Sequence, residues 1–219
     1  MKNLWGLFWS TGLIFLMVSG CTLNYETIRG NGDVVTEKRD LNTFSGVSIY
    51  GSFDVVVVPG EGHTIKIKAE SNLLEHIVTE VESGSLDIST AQGYNLKPTQ
   101  KIELEVSAAG LEHFEINGSG SIRAETVTTS LKCRILGSGN IELSGETEDA
   151  IYEIAGSGTV QTENLSTRRA NVVITGSGSV YVQSLEELEV KITGSGKVFY
   201  KGSPAVKSSV TGSGSVERL

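Results

Sequence analysis

The chain of 219 residues has only two cysteines, three prolines and two tryptophans, and both tryptophans, Trp5 and Trp9, fall near its start. At most one disulfide is possible, so a disulfide-stapled scaffold is excluded and stability must come from packing. Beyond residue 20 no indole ring remains, so the body lacks the wide flat rings on which many proteins stack sugars. Cations are also scarce: 18 Lys and Arg stand against 26 Asp and Glu, a formal charge of −8. No basic block interleaved with aromatics offsets that charge, which argues against a nucleic-acid partner. His63, His76 and His113 are isolated from one another and from Cys or carboxylates at ligand spacing, so neither a metal nor a cofactor is expected. The one long apolar run, Leu4 to Val18, is shorter than the roughly 20 residues that span a bilayer.

That run follows a weakly basic start, Met1-Lys2-Asn3, and leads into Val18-Ser19-Gly20-Cys21. Small residues before a cysteine suit the narrow cleft of a lipoprotein signal peptidase, and the run resembles the bacterial lipobox, with Val18 where leucine is usual. The expectation is a signal peptide over 1–20, lipidation of Cys21, and a lipid anchor and tether over 21–39, whose Thr22–Asp33 portion shows no clear periodicity. Each buried methylene adds about 0.8 kcal/mol, so several acyl chains hold a protein on a membrane. Thr22 is not aspartate, which resembles the outer-membrane pattern of Gram-negative lipoproteins and predicts a cell-envelope protein, periplasmic or surface-exposed. Cys133 is then left unpaired, on the apolar side of Leu131-Lys132-Cys133-Arg134-Ile135, where it reads as a buried small hydrophobe.

Glycine is the residue in excess, at 26. The triplet Gly-Ser-Gly begins at Gly118, Gly137, Gly156, Gly176, Gly194 and Gly212, and ends at Gly120, Gly139, Gly158, Gly178, Gly196 and Gly214. Two residues before each triplet stand Ile116, Ile135, Ile154, Ile174, Ile192 and Val210, and two after it Ile122, Ile141, Val160, Val180, Val198 and Val216. β-Branched residues at alternating positions mark extended chain with one buried face, and the two small residues of each triplet read as a corner with positive φ on both sides of the serine. Intervals of 18 to 20 residues adding one layer each predict a parallel β-solenoid over 111–219. A left-handed hexapeptide helix competes, but its third apolar column would fall on Gly110, Thr129, Glu148, Arg168, Glu186 and Pro204. The right-handed parallel β-helix is therefore preferred. Stacking also lines up Glu115, Arg134 and Glu153 as an outer ladder of alternating sign.

The region 40–110 is β-rich but irregular. Thr64–Ala69, Ile77–Val81, Leu86–Ile88 and Lys101–Val106 read as strands, Ser71–His76 as one helical turn, and Gln92–Gln100 as a loop. Gly51-Ser52-Phe53 reads as a degenerate corner with Phe53 replacing the second glycine. This half is expected to cover the open amino-terminal end of the solenoid.

The stretch Phe44-Ser45-Gly46-Val47-Ser48-Ile49-Tyr50-Gly51-Ser52-Phe53-Asp54-Val55, then Ser85-Leu86-Asp87-Ile88, then the Gly-Ser-Gly series, resembles the head GIN domain family (DUF2807), frequent in lipoproteins of Bacteroidetes. The resemblance covers about residues 40 to 219 and implies a right-handed β-helical fold, an envelope or surface location and an adhesin-type role without catalysis. It carries over no catalytic or ligand-binding residues.

Six equivalent Gly-Ser-Gly serines followed by strand rather than helix exclude a phosphate loop or a nucleophile elbow. A carbohydrate-active enzyme needs clustered acids, but Glu142, Glu146, Glu148, Asp149, Glu153 and Glu163 change column between copies. One outer column ends in Tyr181 and Phe199, with Tyr200 beside them, and is the candidate surface for a protein or glycan. The expected function is a lipid-anchored, non-catalytic protein that presents a rigid β-helical surface for adhesion or binding. A carbohydrate-active enzyme and a structural or accessory part of an envelope complex stand as alternatives. The array stops at Arg218-Leu219 with no evident cap, so a homo-oligomer through that end is a further expectation.

Overall fold

Alternation of β-branched and polar residues around each corner produces two strand segments per turn, which run on through a second, gentler bend. In the computed structural model, which describes residues 25–219, these are β10 (His113–Gly118), β11 (Ser121–Gly137), β12 (Asn140–Gly156), β13 (Thr159–Gly176), β14 (Ser179–Gly194), β15 (Lys197–Lys201), β16 (Ala205–Gly212) and β17 (Ser215–Arg218). The expected signal peptide, 1–20, and Cys21 lie outside the described residues. Successive turns pair in parallel, with Gly118, Gly137, Gly156, Gly176, Gly194 and Gly212 stacked upward in one unbroken column. The protein is thus all-β, a solenoid of about six turns. Its interior is the stacked columns foreseen from the repeat: Phe114, Cys133, Tyr152, Val172 and Val190 are buried, as are the isoleucines and valines on either side of the first five corners of the series, while Val210 and Val216 at the last corner are not. A single turn cannot cover its own apolar side, so each depends on its neighbours for most of its stability.

The corners work differently from the expectation in one respect. The first glycine of each triplet has φ between +119° and +140°, but the second is not in the left-handed region. The second is small for clearance instead. A Cβ at Gly139 would lie 2.6 Å from Cγ2 of Ile116, and the same clash recurs up the column. The first glycine meets both demands, because a Cβ at Gly156 would strike the carbonyl oxygen of Gly137. That carbonyl is the acceptor for Ser157 N–H at 2.8 Å, so the bond that joins two turns also excludes a side chain.

The second bend carries a column that the repeat did not reveal, Thr128, Thr147, Thr167 and Ser184. Their hydroxyls donate to nearby backbone carbonyls, as Ser184 does to Glu187 at 2.8 Å. Register shifts fall beside it, between Glu142 and Ser144, Thr162 and Ser166, and Thr167 and Arg169, so this bend absorbs the variation in turn length.

Below β10 the same two faces continue. β3 (Gly46–Gly51) lies parallel to β10 with Gly51 beneath Gly118, and β4 (Asp54–Val58) lies beneath β11. Gly51-Ser52-Phe53 is therefore a seventh corner, as its sequence indicated. On one face β7 (Ser85–Thr90) pairs in parallel with β3 and is closed by antiparallel β6 (Ile77–Glu82). On the other, β9 (Glu103–Ser107) pairs in parallel with β4 and is closed by antiparallel β5 (Thr64–Glu70) and then β2 (Val34–Asp40). A single 3-10 turn, Leu74–His76, supplies the expected helical turn, and Leu73 and Leu74 are buried.

Two expectations for this half need correction. The segment 21–39, read as tether, contains β1 (Glu26–Arg29) and most of β2, and the Gln92–Gln100 loop contains β8 (Tyr94–Lys97). β1 and β8 form a parallel two-stranded ribbon, Glu26 beside Tyr94 through Arg29 beside Lys97. Three of the four β1 residues are exposed and in β8 only Leu96 packs against the core, so the ribbon is too short and too shallowly buried to write a clear period into the sequence.

Candidate functional site

The strand segment after each corner presents an outer column of Arg123, Glu142, Gln161, Tyr181, Phe199 and Glu217. Its lower part is an ion pair, Arg123 to Glu142 at 2.8 Å. Its upper part is aromatic: the rings of Tyr181 and Phe199 stack with centroids 4.9 Å apart and planes 18° apart. The spacing of neighbouring parallel strands brings them to this distance, and such a pair contributes about 0.5–1.5 kcal/mol beyond area burial. Both rings are half-buried rather than fully exposed, and each covers part of the other. Gln161 and Glu217 bound them along the column, with Lys197 one position away on the same face. Tyr200 does not belong to this surface. Neighbours in a strand point to opposite sides, so Tyr200 continues the inward column above Val182 and packs against the core.

The opposite face is ionic. Arg134 lies 3.9 Å from Glu115 below it and 3.7 Å from Glu153 above, the ladder read from the sequence. Asp149 takes two hydrogen bonds from Arg169, at 2.6 and 2.8 Å, which hold its carboxyl below the usual range. Glu186 pairs with Arg168 at 2.7 Å and Glu187 with Lys207 at 2.6 Å. Several of the acids an enzyme reading would recruit are thus occupied by basic neighbours on adjacent turns. Among the described residues no group of three or more His, Cys, Asp or Glu is placed to hold a metal. Among them too, no helix is long and apolar enough to cross a membrane. Cys133 is fully buried, and desolvation pushes its thiol pKa up, as a packing role requires. The glycines of the corner series serve the backbone and present no side chain.

At the base the acid Glu70 is buried, at the end of β5. Its carboxylate accepts Gly32 N–H at 2.6 Å, Thr99 N–H at 2.8 Å, Thr99 Oγ1 at 2.6 Å and Gln100 N–H at 3.3 Å. These bonds, led by the Thr99 hydroxyl, bring its pKa down to about 2. Glu70 therefore ties the segment after β1 and the loop after β8 to the solenoid. A recess of about 370 Å3 opens beside that loop, under the Gly51-Ser52-Phe53 corner. Sequence reading missed it. The signals that point to it are Phe53 in a column of glycines and the long insertion between Thr90 and Lys101.

At the other end β16 and β17 each pair on one side only among the described residues, and Val206 and Val210 are 39% and 41% exposed.

Residues 43–204 match the family described as "Putative auto-transporter adhesin, head GIN domain". A "putative adhesin" from Bacteroides fragilis NCTC 9343 superposes with a TM-score of 0.73 at 16% identity, covering 88% of this chain and 100% of that one. A "putative lipid binding protein" from Parabacteroides distasonis ATCC 8503 gives 0.61 at 24% identity, covering 89% and 100%. A "putative adhesin" from Parabacteroides merdae ATCC 43184 gives 0.56 at 22% identity, covering 88% and 99%. At these identities the likeness is one of fold. No curated protein matches the chain.

Proposed function

The chain belongs to the head GIN domain family, and from that premise we propose that it is a lipid-anchored, non-catalytic envelope protein whose solenoid binds a protein or glycan partner through the Tyr181–Phe199 face. The family supports a role in adhesion or binding at the cell envelope or surface. The observation that carries the site is the aromatic pair itself: two stacked rings on an outer column whose other members are charged or polar. A flat rigid ladder with aromatics inside a polar rim is the composition of binding surfaces, and many copies on one membrane multiply weak contacts.

The anchor would be Cys21. With β1 beginning at Glu26, the five peptide steps between them reach at most about 17 Å, so the base of the solenoid would stand close to the lipid rather than at the end of a long tether. Incorporation of labelled palmitate, lost in Cys21→Ser, tests the anchor, and protease shaving of intact cells tests whether the body faces outward. For the binding face, Tyr181→Ala with Phe199→Ala should abolish retention on whichever glycan array or envelope fraction the full chain binds. Retention unchanged by the pair would refute this face. Reducing-end release from a polysaccharide would instead support the enzyme alternative.

Assembly through the carboxy-terminal turn is a second component of the proposal, supported by the exposed valines of β16. Light scattering should then show a concentration-dependent dimer that Val206→Lys removes. A strict monomer at high concentration would exclude it.

A further inference from the structure

The geometry points to a second, separate binding site at the base of the solenoid, a recess that takes a single neutral sugar residue. The recess is a corner that the fold leaves out. Carried two residues beyond its last pair, Ile49 over Ile88, the β3–β7 register places Gly51 over Thr90. Carried back from Val55 over Leu104, the β4–β9 register places Phe53 over Ile102 and Ser52 over Lys101. A regular turn would join these two positions by a Gly-Ser-Gly bend directly beneath Ser52. Here the chain leaves instead, through the ten residues Ala91–Gln100, and returns. Every higher corner has its serine N–H bonded to the glycine carbonyl below at 2.8–2.9 Å, whereas Ser52 N–H has no acceptor among the described residues.

The excursion does not collapse into the gap, because it is held from outside. β8 is zipped to β1, and Thr99 and Gln100 are fixed on Glu70. It forms instead a standing wall of Asn95, Leu96 and Pro98 facing the corner. The volume left, about 370 Å3, lies within the range of about 300–1,000 Å3 usual for small-molecule sites.

The lining decides the ligand. Its two ionisable groups, Asp54 and Lys101, pair with each other at 3.5 Å, and Asp54 also accepts Ser121 Oγ at 2.6 Å, so no unopposed charge invites an ion. Ser52, Thr90 and Asn95 supply donors and acceptors of the kind that read hydroxyl groups. Phe53, Leu96 and Ile102 supply an apolar surface for the C–H side of a pyranose ring. An added peptide strand does not fit, since β7 and β9 already occupy the positions on either side and leave a gap only one corner long. A compact polyol satisfies all three conditions. This site is independent of the Tyr181–Phe199 face.

The test is a titration of the 15N-labelled full chain with glucose, galactose, mannose and N-acetylglucosamine, read at the backbone amides. Saturable, millimolar-range shifts confined to Ser52, Asn95, Leu96 and their neighbours are expected for at least one sugar. Asn95→Ala should weaken that sugar about tenfold. Leu96→Trp, which fills the recess, should abolish the shifts. Unchanged amide positions at the upper corners show that both variants remain folded, and Tyr181→Ala should leave the titration as it was. Absence of saturable shifts at these amides with all four sugars, shifts confined to the Tyr181–Phe199 face, or unaltered binding by Leu96→Trp would each overturn the assignment.

Discussion

Gly156 and Gly51 occupy the same column of the same fold with nearly the same backbone, φ +131° and +123°, but a side chain at the first would strike the carbonyl of Gly137 and one at the second would meet only the edge of the Phe53 ring, at 3.9 Å. The upper turns are made from one repeated corner in which each backbone is the steric limit of the next. The base reaches the same two faces with strands of both directions, and its corner is open beneath. Regular stacking therefore leaves no gap beneath a corner, and the base recess opens where the corner below is missing.

Gly156→Ala combines backbone strain with a clash against a hydrogen-bonded carbonyl and should lower stability by about 2–4 kcal/mol. Gly51→Ala carries the strain alone and should lower it by about 1–2 kcal/mol. Urea unfolding of the two variants measures the difference. Equal losses would mean that the carbonyl beneath yields and that backbone strain dominates throughout the column.

Next is the tie at Glu70. Because its carboxyl is held near 2 in the folded protein against an ordinary value of 4.5, the stabilisation is complete above about 4.5 and is lost as pH falls toward 2. Hydrogen exchange followed as pH is lowered from about 4.5 toward 2 should therefore expose β1 and β8 before any turn from β10 upward. Glu70→Gln, whose amide turns a donor toward the N–H groups of Gly32 and Thr99, should expose the ribbon already at neutral pH while the upper turns keep their protection.

The same contrast explains what could be read without coordinates. The corner column, the buried Cys133 and the Glu115–Arg134–Glu153 ladder were legible because stacking copies a residue's environment from turn to turn, so one pattern is written many times. The β1–β8 ribbon was not, because it is four residues long and buries little beyond Leu96. The hydroxyl column at the second bend was hidden by register shifts that move Thr167 and Ser184 out of the constant spacing of Thr128 and Thr147. The two glycines of a triplet look alike in sequence although one answers to φ and the other to an isoleucine beneath it. Tyr200 was drawn to its neighbour Phe199 by proximity, where strand alternation sends it inward. The base recess depends on a chain excursion whose return point only the register reveals.

A smaller effect concerns the aromatic column. Phe199→Ala removes the stacking partner of Tyr181 and should cost about 1 kcal/mol of stability, measured by thermal unfolding. Tyr200→Ala should cost more, about 2–4 kcal/mol, because its ring completes the interior above Val182. The reverse order would place Tyr200 on the outer surface after all.

The smallest effects are expected from the ion pairs, which both regions contain. Arg134 bridges Glu115 and Glu153 between parallel turns, and Lys66 and Lys68 bridge to Glu105 and Glu103 at 2.8 and 3.2 Å between the antiparallel strands of the base. Apart from Glu115, these side chains are about half open to solvent, so each pair gains little over hydration and is screened by salt. Arg134→Gln and Lys66→Gln should therefore each change stability by no more than about 0.5–1 kcal/mol, and the change should shrink as salt rises. Similar small losses in the two regions, beside the unequal losses at Gly156 and Gly51, would locate the difference between repeat and base in backbone contact rather than charge. A markedly larger loss for Arg134→Gln would mean instead that the alternating ladder sets the register of the turns, and that the corners follow it.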